Sequence, residues 1–160
     1  MEYILETNAL EKHYRNFSAL NGLTMHIPKG SIYGFVGRNG AGKTTLIRLI
    51  CGLQEPSGGE YKLCGVKNTD KNIISCRRKT GAVVESPAIY TEMTAEENLR
   101  QQSYILKASN EGDISELLAL VGLGDTGKKK VKNFSLGMRQ RLGIAIALAG
   151  NPKFLVLDEP

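Results

Sequence analysis

Ser31-Ile32-Tyr33-Gly34-Phe35-Val36-Gly37-Arg38-Asn39-Gly40-Ala41-Gly42-Lys43-Thr44-Thr45 is the stretch that decides how this chain reads. Residues 31–36 form a nearly continuous apolar run, the pattern of a short strand buried on both faces. Gly37 to Thr44 matches G-x-x-x-x-G-K-[ST] in full, and a helix-like segment, Thr44 to Gly52, follows. Strand, glycine loop and helix is the order that a phosphate cradle needs. Glycines let successive amides curl around an anion with no Cβ in the way, and the helix start adds partial positive charge. Lys43 has the reach for β- and γ-phosphates, and the Thr44 hydroxyl can ligate Mg²⁺. The ordinary alternative, a glycine-rich turn with a surface lysine, gives no reason for a strand before it and a helix after it. Gly37, Arg38, Asn39, Gly40, Ala41, Gly42, Lys43, Thr44 and Thr45 are therefore the candidate nucleotide-binding residues, with Lys43 also a catalytic candidate.

Upstream, residues 3–7 and 23–27 are short and β-prone, with the turn residues Asn21-Gly22 between them. Downstream, Pro56-Ser57-Gly58-Gly59 breaks the chain before a strand pattern at 60–63, and 81–84 reads as another buried strand. Thr94 and Glu97 fit a capping box ahead of a helix continuing to Lys107. A second helix is expected over 113–121. Lys128 to Lys132 reads as a basic, exposed connection, and Ser135 as the cap of a third helix running to Ala149. The fold expected is α/β: a phosphate-loop NTPase with a RecA-like parallel sheet, an N-terminal antiparallel portion, and a helical subdomain at about 92–133. The whole of 1–160 reads as one nucleotide-binding domain.

The last strand pattern, Lys153 to Leu157, ends in Asp158-Glu159-Pro160. An acid at the carboxyl edge of an apolar strand puts Asp158 where open α/β sheets place ligands, suited to hold Mg²⁺. Glu159 is then placed to polarise a water for in-line attack, a general-base role. By itself a strand that ends in solvated acids is common; paired with the phosphate loop, the reading sharpens.

The composition agrees with this and narrows the class. The 160 residues are 41% hydrophobic and 23% charged, which suits one globular domain and excludes a disordered or fibrous chain. The net charge of +5 suits a handler of anions and is too small to argue for nucleic acid. No apolar run approaches the roughly 18–20 residues needed to cross a bilayer, and the N-terminus carries no signal sequence, so a cytosolic or soluble subunit is expected. Cys51, Cys64 and Cys76 have no C-x-x-C or paired histidine around them and read as small buried apolar residues.

The sequence resembles the ATP-binding cassette (ABC) family, the ATPase subunits of transporters. Asn133-Phe134-Ser135-Leu136-Gly137-Met138 is similar to that family's signature, Leu-Ser-Gly-Gly-Gln, with Ser135 and the second glycine, Gly137, kept. The resemblance implies that Ser135 and Gly137 bind the γ-phosphate of ATP held by a second ATPase subunit in a head-to-tail dimer. It implies that Tyr14 stacks on adenine, although the spacing leaves open a core or edge-strand tyrosine. Glu85 stands where the family has a glutamine that touches Mg²⁺; a carboxylate there still ligates metal but adds negative charge. With Ser-Leu-Gly-Met, this departure is similar to the bacitracin- and lantibiotic-type exporters.

The function implied is hydrolysis of ATP with Mg²⁺ to power a membrane permease, from a cytoplasmic position peripheral to the inner face of the membrane. The cargo implied is an antimicrobial peptide or similar compound. A kinase or GTPase would not need the Ser135–Gly137 element, and no guanine-reading Asn-Lys-x-Asp run occurs. Nucleic-acid binding is not expected: the basic runs read as solvated faces, and no sustained heptads lie between Thr44 and Ser135. A soluble ATPase of the same superfamily, associated with translation or nucleic acid, is the alternative. The chain reads as truncated after its Asp-Glu element. Because the family pattern continues with an interface loop and a γ-phosphate histidine, this piece is expected to be a weak or inactive ATPase.

Overall fold

The computed structural model describes residues 2–107 and 112–158. The chain divides into two compact units, Met1–Arg78 and Lys79–Pro160.

The first unit is an antiparallel sheet carrying one eight-residue helix and one of five residues. Strands β1 (Tyr3–Tyr14), β2 (Phe17–Pro28), β3 (Gly58–Leu63) and β4 (Val66–Lys67) lie in the order β2-β1-β3-β4. The register sets Leu5 opposite both Ile27 and Leu63, and Thr7 opposite both Met25 and Tyr61, so these buried side chains line one face. Helix α1 (Lys43–Ile50) buries Leu46, Leu49 and Ile50, and Leu49 accepts a hydrogen bond at its carbonyl from the Tyr61 hydroxyl at 2.9 Å. β1 is interrupted between Thr7 and Leu10, where Ala9 takes φ +45°. Buried Thr7 closes that gap: its hydroxyl donates to the Leu23 carbonyl at 2.9 Å and accepts from the Met25 amide at 3.0 Å.

The second unit has a parallel pair, β5 (Thr80–Val83) with β6 (Phe154–Leu157), in the register Gly81↔Leu155 and Val83↔Leu157. Helices α3 (Ala95–Leu106), α4 (Gly112–Leu120) and α5 (Leu136–Leu148) follow the short α2 (Ile73–Arg77) of the first unit. Leu99, Ile114, Leu118, Val131, Phe134 and Leu142 join in one apolar core. Thr94 makes the expected capping box, accepting from the Glu97 amide at 3.2 Å while Glu97 accepts from the Thr94 amide at 2.7 Å. α5 lies against β5 so closely that a Cβ on Gly81 would fall 1.9 Å from the Ala147 carbonyl oxygen.

Three expectations are corrected. Residues 31–36 are not a strand: among the described residues no ladder includes them, and Ile32 and Val36 are fully exposed. A doubly buried strand is made by partners on both sides, and apolar character alone does not supply them. β1 and β2 run 12 residues each, because the interruption at Ala9 lets pairing continue past the short patterns the sequence suggested. Cys51, Cys64 and Cys76 form no disulfide among the described residues and are only half-buried. Lys128 to Lys132 is exposed as expected, except for Val131, which drops into the core. No helix among the described residues is long and apolar enough to cross a membrane.

Candidate functional site

In the first unit the glycine-rich loop runs directly into α1. Gly40 (φ +81°) and Gly42 (φ +86°) take left-handed conformations that side-chained residues resist. Gly42 is also pressed against the sheet, since a Cβ there would lie 2.3 Å from the Ala19 carbonyl oxygen. It is the N-cap of α1, where no side chain caps the helix and no acidic residue lies in the first turn. Residues 37–41 ahead of that end are exposed, the Ala41 amide donating to the Arg38 carbonyl at 3.0 Å, and the helix start adds its partial positive charge. Lys43 Nζ folds back over the loop, donating to the carbonyls of Gly37 at 2.8 Å and Arg38 at 3.2 Å. An ammonium has three donors, so the same group retains capacity for an anionic oxygen. Arg38, Asn39 and Ala41 are exposed, Thr44 and Thr45 half-buried.

Tyr14 ends β1, 38% exposed, with its hydroxyl donating to Gln54 Oε1 and Lys12 Nζ 5.3 Å from its ring centroid. At the far end of α1, Arg77 Nη2 donates to the Tyr61 hydroxyl at 2.6 Å. Burial raises the Cys51 thiol and Tyr61 hydroxyl pKa values above their ordinary ranges, and the Arg77 guanidinium partly opposes both shifts.

In the second unit, parallel pairing sends β5 and β6 out at the same edge of the sheet. Asp158 follows β6 there, buried, its amide donating to the Val83 carbonyl at 3.0 Å. Glu85 leaves β5 at the same edge, exposed, with φ +61°. The Ser86 amide reaches back to the Val84 carbonyl at 2.8 Å, so Glu85 is the centre of a tight γ-turn. A carboxylate held in a left-handed conformation costs about 1–3 kcal/mol, the kind of strain that collects at functional positions. Glu159 lies outside the described residues. Ser135 caps α5, its hydroxyl accepting from the Met138 amide at 3.2 Å, while Gly137 stands in open space with no atom within 4 Å of an added Cβ.

The structure thus brings Glu85 and Asp158 to one sheet edge and Ser135 and Gly137 to one helix start. The loop residues stand together in the other unit. Mg²⁺ takes hard oxygen donors. The Thr44 hydroxyl and the Asp158 and Glu85 carboxylates are donors of that class, although the described residues contain no cluster of three or more His, Cys, Asp or Glu. Gln54 and Lys12 are the neighbours that sequence reading passed over. Gln54 meets Tyr14 only through the fold, whereas Lys12 lies two residues before Tyr14 in β1, the spacing that shares a strand face.

Residues 20–160 match the family described as ABC transporter. The chain belongs to the ABC transporter family. It is 44% identical over 160 residues to the bacitracin transport ATP-binding protein BcrA of Bacillus licheniformis, covering all of this chain and 52% of that one. To the lantibiotic transport ATP-binding protein SrtF of Streptococcus pyogenes it is 41% identical over 157 residues, 98% of this chain and 66% of the relative. The structure of cbiO1 from Clostridium perfringens, part of the ABC transporter complex cbiONQ, superposes with a TM-score of 0.82 at 27% identity. It covers 100% of this chain and 66% of that one. The chain therefore spans about half the length of BcrA. The expected likeness to bacitracin- and lantibiotic-type subunits holds, as do the α/β class and the split between an antiparallel and a parallel sheet.

Proposed function

We propose that this ABC chain is the ATP-binding and ATP-hydrolysing part of a subunit that drives a membrane permease, exporting an antimicrobial peptide or a similar compound. One observation carries the reading: a loop with two left-handed glycines enters an uncapped helix N-terminus, and Lys43 Nζ lies over that loop. The cargo rests on the names of BcrA and SrtF, which specify bacitracin and lantibiotic transport. The site would act as a single nucleotide-binding domain in a head-to-tail pair of ATPase subunits, peripheral to the inner face of the membrane through the permease.

In this reading the amides of Gly37–Thr44 bind the phosphates, and Lys43 swings from the Gly37 and Arg38 carbonyls to the β- and γ-oxygens. Tyr14 carries the base. Thr44, Asp158 and Glu85 would hold Mg²⁺, which neutralises phosphate charge when bound. Glu159, next to Asp158 in the chain, orients and deprotonates the attacking water. Ser135 and Gly137 offer a hydroxyl and an unobstructed amide to the γ-phosphate bound by the partner subunit.

Lys43→Ala tests the core of it. Losing a charge-assisted donor in the cradle should cost about 1.5–3 kcal/mol, at least a tenfold loss of ATP affinity. Titration calorimetry on the full-length protein reads the change. Equal affinity in the two proteins overturns the assignment of the phosphate loop.

A further inference from the structure

Tyr14 is not simply the last residue of a strand. Its hydroxyl is anchored to Gln54, and the lysine that covers its ring, Lys12, is itself anchored, donating through Nζ to the Glu55 carbonyl at 2.7 Å. The next residues repeat the linkage: the His13 amide donates to Ser57 Oγ at 3.0 Å, and the Ser57 amide donates to the Glu11 carbonyl at 2.9 Å. The 54–57 segment leaves α1 directly. The Leu53 amide donates back to the Arg48 carbonyl at 2.9 Å, so the turn is part of the helix's exit. The helix that begins in the glycine loop is thus joined at its other end to the tip of the β1–β2 hairpin, within one compact unit.

An exposed tyrosine on a hairpin tip ordinarily spends its hydroxyl on water. Here the hydroxyl is tied to a side chain, and a cation lies over the ring at 5.3 Å. Both constraints act on ring orientation, and the ammonium leaves one aromatic face for another planar group. We infer that Gln54 is a positioning residue for the nucleobase: it holds the Tyr14 ring, with Lys12 behind it, so that the opposite face receives the base of the nucleotide whose phosphates occupy Gly37–Thr44. This rests on the proposed reading of Tyr14 as the base platform. Stacking is tolerant of base identity, so the device fixes where a purine lies without choosing between adenine and guanine.

The test uses the full-length protein and three probes with Mg²⁺: ATP, GTP and inorganic tripolyphosphate, which has no base. Gln54→Leu and Tyr14→Phe each delete the same hydrogen bond while keeping the ring. Each should raise the Kd for ATP and for GTP by about three- to tenfold and leave that for tripolyphosphate unchanged. Gln54→Glu keeps the acceptor and should remain within about twofold of wild type. The double variant Tyr14→Phe/Gln54→Leu should be no weaker than either single one, since both remove one interaction. If Gln54→Leu weakens tripolyphosphate as much as ATP, the residue only supports the fold of the loop and the inference is overturned. Tyr14→Ala separates the two levels. If it weakens ATP more than tripolyphosphate while Gln54→Leu does nothing, the positioning role alone is wrong. If it leaves the ATP-to-tripolyphosphate ratio unchanged, the platform reading falls and the positioning role falls with it.

Discussion

Two helix starts in this chain carry candidate phosphate-binding residues, and they are built in opposite ways. α1 begins at Gly42, a left-handed glycine pressed onto the Ala19 carbonyl, with no side chain spent on capping. α5 begins at Ser135, an extended residue whose hydroxyl takes the Met138 amide, followed by Leu136, 73% exposed, and Gly137 in open space. The first start is held by backbone against backbone, and a lysine supplies its charge. The second is held by side chains, and its surroundings are roomy. A loop that wraps an anion needs amides left uncapped and a path no Cβ could follow. A loop that only presents a hydroxyl and an amide to something arriving from outside can use an ordinary cap.

The sharpest way to break this contrast is to put the same methyl group at both glycines. Gly42→Ala combines left-handed strain with a Cβ only 2.3 Å from a carbonyl oxygen and 2.9 Å from Leu20 Cδ2. It should destabilise the protein by about 2–4 kcal/mol. Gly137→Ala meets nothing and lies in a helix, where alanine is favoured over glycine, so stability should hold or rise by up to about 1 kcal/mol. Paired denaturant midpoints read both. Equal losses would mean that the two starts are constrained alike.

Ser135→Ala sharpens the other side of the contrast. Removing the acceptor from the Met138 amide should cost about 1 kcal/mol, and Ser135→Asp, which still caps, should recover most of it. Thr94 is the internal reference, because its cap is reciprocated by Glu97. If Ser135→Ala costs nothing in the same denaturation assay, the serine is not what holds the start of α5.

The same contrast explains what was legible in the sequence. Glycine spacing, the Thr94–Glu97 box, the Ser135 cap and the acid ending the last strand are local patterns, each decided within a turn of helix or a few residues of strand. Residues 31–36 misled because their apolar run matches a buried strand, while strand formation depends on partners elsewhere in the chain. α2 and β4 were passed over for a related reason: five and two residues carry too little periodicity to read. Of the candidate site, the loop geometry followed from its glycines. The left-handed γ-turn at Glu85 and the Gln54 anchor of Tyr14 did not, since each depends on how distant segments are fastened.

The smallest expected effect concerns how the approach to α5 is fastened. Glu92 accepts from Lys132 Nζ at 3.0 Å and pairs with Lys130 Nζ at 3.6 Å. The backbones beside them are also joined, the Val131 amide donating to the Met93 carbonyl at 2.9 Å and the Lys132 amide to the Thr91 carbonyl at 2.8 Å. The hydrogen bond and charge of Lys132, helped by Lys130, hold the Glu92 carboxyl below its usual pKa. A carboxylate whose pKa is lower folded than unfolded adds stability above its unfolded pKa and loses it as pH falls through the folded value. All three side chains are exposed, so water and salt screen the pair and its contribution is small. Glu92→Gln keeps an acceptor and removes only the charge. It should therefore lower the denaturant midpoint slightly at neutral pH and low salt, less at high salt, and not at all once acid has protonated the wild-type carboxyl. A deficit that grew on acidification would reverse the sign and show that Glu92 is held by something other than these lysines. The backbone bonds alone would then fasten the start of α5, as backbone contact fastens the start of α1.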